Sequence, residues 1–171
     1  MSQLQFTATK VFGPENFISA DQISAVAEFG FTKVWDLPDP SILRYNGDGT
    51  DTGGGADFLS GNSRNPQRQV GGFATPFSWG YRLAARADYN NFAGSAFTVS
   101  PRFAFNHDVK GTTPGPGGNF VEDRKSLTVG AEANYLNQWS ADLSYTRFFG
   151  AGLFNLVSDR DFVAVSAKYA F

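Results

Sequence analysis

Eight charged residues, Glu28, Arg82, Arg86, Asp88, Arg102, Glu132, Asp142 and Lys168, fall on the polar side of alternating, strand-like segments. Opposed charges on one face of a sheet have two uses. They can set a transverse field that selects a passing solute, or they can pair off into a network that stiffens or plugs the interior. Both signs are present, so pairing is the favoured reading. If the face is selective, Arg82, Arg86 and Arg102 carry it, because they line two adjacent strands. Enzyme chemistry is poorly supported. The single histidine, His107, adjoins Asp108, but neighbours on a strand point to opposite faces and cannot form a base and its orienting acid. No enzyme is expected.

The oxygen-rich segment 46–57, Asn-Gly-Asp-Gly-Thr-Asp-Thr-Gly-Gly-Gly-Ala-Asp, suggests a hard cation such as calcium. It lacks the bidentate glutamate of an EF-hand, and a mobile loop is the better reading. There is no cysteine, hence no disulfide framework and no thiolate metal site. No glycine-rich phosphate cradle precedes a helix. Neither metal nor cofactor is expected.

The elements that position these charges follow from period-two alternation. Seven segments carry it: 3–12, 22–34, 78–90, 96–106, 124–135, 139–148 and 159–171. The clearest is 78–90, where Trp79, Tyr81, Leu83, Ala85, Ala87 and Tyr89 oppose Arg82, Arg86, Asp88 and Asn90. Helical periodicity would put Arg82 and Arg86 beside Tyr89. Lys10 falls on the apolar side of the first segment. Pro101 falls on the apolar side of the fourth and has no amide donor, so a bulge or ladder defect is expected there.

A net charge of −2 argues against a nucleic-acid partner. No apolar run approaches the ~18 residues of a membrane helix. A barrel strand needs only ~10 residues, half of them polar, so a membrane is not excluded. Short links (90–95 and 136–138) alternate with long glycine-bearing ones (34–77, 107–123 and 149–158). That is the outer-membrane arrangement of short periplasmic turns and long extracellular loops. Together these features predict a single all-β domain over 1–171, with a long extracellular loop at 35–77. The fold class is an antiparallel up-and-down transmembrane β-barrel segment of about seven strands, an incomplete barrel.

Under this assignment Phe12, Tyr89, Phe92, Tyr135, Trp139, Tyr169 and Phe171 gather at the periplasmic edge and Phe31, Trp79, Tyr81 and Phe105 at the outer edge, as two interfacial girdles would require. The outward cations Lys33, His107, Lys125 and Arg147 cluster at the extracellular end, where they could meet lipopolysaccharide phosphates; the alternative is solvated charge at loop bases.

The last segment, with Val163, Val165, Ala167, Tyr169 and Phe171 on one face, resembles the closing strand of Gram-negative outer-membrane barrels. That resemblance implies that the barrel-assembly machinery reads it as an insertion signal. A wider resemblance is carried by Val11-Phe12-Gly13-Pro14, Trp79-Gly80-Tyr81-Arg82, Tyr89-Asn90-Asn91, Pro101-Arg102-Phe103-Ala104 and His107-Asp108-Val109. It continues through Gly115-Pro116-Gly117-Gly118-Asn119-Phe120, Tyr145-Thr146-Arg147-Phe148-Phe149-Gly150 and Tyr169-Ala170-Phe171. On these the chain resembles the C-terminal part of the large barrel proteins of domain-of-unknown-function family 1302 (DUF1302). The resemblance implies an outer-membrane location and traffic in hydrophobic small molecules or lipids. A non-transporting structural or adhesive barrel is the alternative, and a soluble antiparallel β protein the third.

The first residues run straight into strand-like sequence with no charged n-region, apolar h-region or cleavage site. Either a leader has been removed or the chain is the tail of a longer protein. Seven strands do not close a bacterial barrel, since single-chain barrels have even strand numbers, and open edges in lipid are costly. The expected partners are therefore outer-membrane lipid and lipopolysaccharide, the assembly machinery, and missing N-terminal strands or other copies.

Overall fold

The computed structural model describes residues 1–50 and 71–170. Seven strands form one antiparallel sheet in chain order: β1 (Ser2–Phe12), β2 (Gln22–Lys33), β3 (Phe77–Asp88), β4 (Phe97–Lys110), β5 (Lys125–Tyr135), β6 (Trp139–Phe149) and β7 (Phe162–Tyr169). Each strand pairs only with its sequence neighbours. The sheet does not close: among the described residues β1 and β7 remain edges, and both run from the long-loop end to the short-turn end. No helix among the described residues is long and apolar enough to cross a membrane.

The faces are sorted by the alternation of the sequence. Register puts Leu4 beside Phe31 and Trp79, Phe6 beside Phe29 and Tyr81, and Ala131 beside Leu143 and Val165 on one face. On the other face lie Thr7, Glu28, Arg82 and Asn106 in one rung and Ser24, Arg86 and Arg102 in another. Burial does not follow hydrophobicity along the strands. Leu4, Phe6, Phe29, Phe103, Val129, Leu143, Tyr145, Val163 and Val165 are exposed, whereas Thr32, Ser78, Ser100, Asp108 and Thr146 are buried. Apart from Ala74, Phe120 and Val121, the apolar core among the described residues is a small cluster of Ala20, Ile23 and Ala87 with Tyr89 against it, at the turn end.

Aromatic residues of the apolar face concentrate at its two ends. At the turn end Phe97, Tyr135, Trp139 and Tyr169 form one continuous rung across four strands. Ring centroids lie 4.7 Å apart for Phe97–Tyr135 and 4.5 Å for Trp139–Tyr169. At the loop end Phe31 touches Phe6, Phe77 and Trp79, and Tyr81 touches Phe29, Phe105 and His107. Between them the face carries mostly Ala, Val and Leu side chains, with Phe103 and Tyr145 on the rung of Ala85 and Val129.

Strand limits differ locally from those the alternation suggests. β4 continues past residue 106 to Lys110, with a register shift opposite Trp79 and Gly80. At Pro101, which offers no amide, the β3–β4 ladder stops at Arg86–Arg102 and resumes only as a single bridge between Tyr89 and Val99. β7 begins at Phe162 rather than 159, because Asp161 instead accepts a 2.8 Å hydrogen bond from the Phe148 amide.

Turn chemistry holds the register. Leu136 and Asn137 both have positive φ, as the two central residues of a type I′ turn require, and the Gln138 amide closes that turn onto Tyr135 O within the three-residue link. Asn16 organises the longer link: its amide donates to Gly13 O at 2.7 Å and Ala20 O at 2.6 Å, and its oxygen accepts from the Ile18 and Ala20 amides.

Candidate functional site

The polar face carries two charged layers with a neutral rung between them. Nearer the turns, Arg86 and Arg102 stand directly opposite each other on β3 and β4, and Glu132 and Asp142 stand opposite each other on β5 and β6. Like charges directly opposed are unfavourable. Diagonal pairing offsets both. Arg86 donates from Nε to Asp88 at 2.8 Å and from Nη1 to Glu132 at 2.9 Å. Arg102 forks onto Asp142, with Nη2 donating to Oδ1 at 2.8 Å and Nη1 donating to Oδ2. Arg102 spans β5 because its partner there is Gly130, which has no side chain. Ser100 adds a 2.6 Å bond to Asp88.

The second layer, nearer the long loops, centres on Asp108. Its side chain is 2% exposed and accepts from Arg82 at 3.1 Å and from Arg124 Nε at 2.9 Å. The Val121 amide donates to it at 3.1 Å. A buried carboxylate is tolerable only when paired and hydrogen-bonded, and Asp108 has all three donors. In turn it anchors the loop 111–124 against the polar face. Phe120 of that loop lies over Gly30 and Gly80, which are direct partners on β2 and β3; a Cβ on either glycine would stand 3.0 Å from the ring. Phe120 and Val121 are buried there.

The long loops also bind one another. Asn46 bridges Phe73 and Gly47 bridges Pro114, and the Gly115 amide donates to Asn46 O at 2.7 Å. Phe154, from the loop before β7, packs on Gly71. Of the oxygen-rich segment read for calcium, 46–50 is therefore tied into this loop layer, and 51–57 lie outside the described residues.

Each charge expected on the polar face can now be placed. Arg82, Arg86, Asp88, Arg102, Glu132 and Asp142 enter ion pairs. Glu28 sits opposite Arg82 but makes no ion pair among the described residues, because Arg82 turns to Asp108. Lys168 is exposed on edge strand β7, in register with Ser140. Val163, Val165, Ala167 and Tyr169 lie in register with Tyr145, Leu143, Ala141 and Trp139 on the apolar face; Phe171 lies outside the described residues.

His107 and Asp108 face opposite ways: His107 meets the Tyr81 hydroxyl at 3.3 Å and Asp123 at 3.9 Å. Of the outward cations, Lys125 pairs with Asp123, Lys33 lies over Trp35 and Arg147 over Phe149. The Lys125 hydrogen bond holds the Asp123 carboxyl below its usual range. Sequence reasoning did not find Asp108 or Arg124 as polar-face charges, nor Phe120 as a cover. The signal was the adjacent glycines Gly30 and Gly80 on polar positions, a notch that a ring can fill.

A family model described as "Protein of unknown function (DUF1302)" matches residues 1–171. No curated protein and no solved structure matches the chain.

Proposed function

Because the chain belongs to the DUF1302 family, whose description assigns no activity, we propose a function from its own residues: it is a segment of a bacterial outer-membrane β-barrel that passes or exports hydrophobic small molecules or lipids. The observation that supports this reading is the inverted sorting of the two faces. An exposed apolar face rimmed by aromatics at both ends suits lipid, and a hydrogen-bonded, ion-paired face suits an interior. In a bilayer an open edge leaves backbone groups without water or partners, so β1 and β7 must be completed. β1 and β7 run the same way, so like-oriented copies would meet in parallel, the slightly weaker ladder. Strands from a longer chain are the better completion. Lipid and lipopolysaccharide are the partners of the apolar face and of the outward cations, and the assembly machinery is the partner of the exposed row on β7.

A second reading has its own observation. The charges of the polar face are largely paired, and loop 111–124 folds onto that face. Both features would suit a plugged, non-transporting barrel that presents its loops. Two measurements decide. Unheated and heated outer-membrane fractions, blotted for the 46–57 segment, should show a heat-modifiable band; no band in that fraction rejects the location. Reconstituted protein should release an entrapped hydrophobic dye from vesicles; an inserted barrel with no release favours the plugged reading.

A further inference from the structure

Between the two charged layers the polar face carries a rung without charge, Val26, Ala84, Ala104 and Thr128, aligned across β2 to β5. Small side chains leave a cavity of about 300 Å³ there, almost wholly apolar in lining, and Arg86 and Arg102 close it on the turn side. An apolar shelf on the polar face serves neither lipid contact nor the ion-pair network. It is a place where a solute's apolar body can leave water.

The two arginines define what else the solute carries. Their carboxylate partners Asp88, Glu132 and Asp142 all lie one rung further towards the turns, on the side away from the shelf. Arg86 engages Nε and Nη1 with them, and Arg102 engages Nη1 and Nη2. Among the described residues Arg86 Nη2 and Arg102 Nε make no hydrogen bond. Both arginine side chains are partly exposed, at 43% and 31%. On the turn side of the shelf a cation would meet two like charges before any carboxylate; on the loop side stands Glu28, opposite Arg82. A single carboxylate or sulfate can take the remaining N–H donors without breaking an ion pair.

We propose that this shelf is a binding subsite for an anionic amphiphile, its apolar body on Val26, Ala84 and Ala104 and its acidic head on Arg86 and Arg102. The assignment rests on the passage reading above and narrows it to acid-headed amphiphiles such as alkyl carboxylates.

Octanoate, octanol and octylammonium, all soluble without micelles of their own, test it by calorimetric titration of the folded protein in non-ionic detergent. Octanoate should saturate one site and bind at least about tenfold tighter than octylammonium, the scale of a charge-assisted contact. Ala104→Trp, which fills the shelf and touches no ion pair, should abolish octanoate binding. Arg102→Gln should weaken octanoate and leave octanol unchanged. Equal or tighter octylammonium binding, or octanoate affinity indifferent to Ala104→Trp, overturns the proposal. The titration needs a folded barrel and no passage. Dye release without octanoate binding therefore removes the subsite alone, and octanoate binding without release removes only the passage reading.

Discussion

Arg102 on β4 reaches across Gly130 of β5 to fork onto Asp142 of β6, an ion pair between strands that are not neighbours. It ties three strands together on the polar face. Arg86 does the same from β3 to Glu132 on β5, so strands β3 to β6 are cross-braced above their backbone ladders.

The brace predicts strong coupling. Arg102→Gln or Asp142→Asn alone leaves a charge facing a like one, Glu132 or Arg86. Each single variant should lower the denaturant midpoint, and the double variant should lower it less than the sum of the two. Strict additivity would mean that the fork contributes nothing. A bulkier residue at Gly130 should mimic the single variants, because a Cβ there would also stand 2.7 Å from Leu143 O.

The glycine notch predicts a graded pair. At Gly30 an added Cβ meets only the Phe120 ring, which can give way, whereas at Gly80 it also meets His107 O at 2.6 Å. Gly80→Ala should destabilise by about 1–3 kcal/mol, the scale of overpacking. Gly30→Ala should stay within about 1 kcal/mol of wild type, since alanine also recovers backbone entropy. Chemical denaturation of both variants checks the order; equal effects would contradict the close approach of His107 O to Gly80.

Much of this was legible beforehand, and the reason is physical. Alternation alone predicts the faces of 78–90 and 139–148, because a one-residue slip would move Leu83 or Leu143 to the polar side. The contacts that hold the long loops were not legible. Asp108 lies beyond the residue at which the alternation of 96–106 stops being clear, and its partner Arg124 is sixteen residues away across an irregular loop. Alternation says which way a side chain points, but not which loop returns to cover it. Gly130 illustrates the same limit: its role appears only once Arg102 and Asp142 are seen on either side.

The apolar face predicts a penalty for charge. Leu83 lies between Ala27 and Phe105 in register. Under the outer-membrane reading proposed above, Leu83→Arg should destabilise the vesicle-inserted protein by about 2–4 kcal/mol, the scale for a midplane position of transmembrane barrels. A neutral effect in urea titration of vesicle-inserted protein would mean that this face does not meet lipid.

Asp123 gives an acid-side signature. Its carboxyl is held low, first by the Lys125 hydrogen bond. A depressed carboxyl contributes stability above its unfolded pKa, about 3.9, and loses it as pH falls through the lower folded value. The stability difference between wild type and Lys125→Met should therefore be constant near neutrality and close as pH falls below about 4. A difference that persists at pH 2 would contradict the pairing.

The central claim is that the apolar face meets lipid and the polar face does not. Single nitroxide labels at each position from Tyr81 to Arg86, with the protein inserted in phospholipid vesicles, test it directly. Collision with oxygen, which concentrates in the bilayer, should peak at Tyr81, Leu83 and Ala85. It should fall at Arg82, Ala84 and Arg86, in opposite phase to a water-soluble nickel chelate. Equal access of the nickel chelate to both sets, or no alternation with period two, would contradict the account.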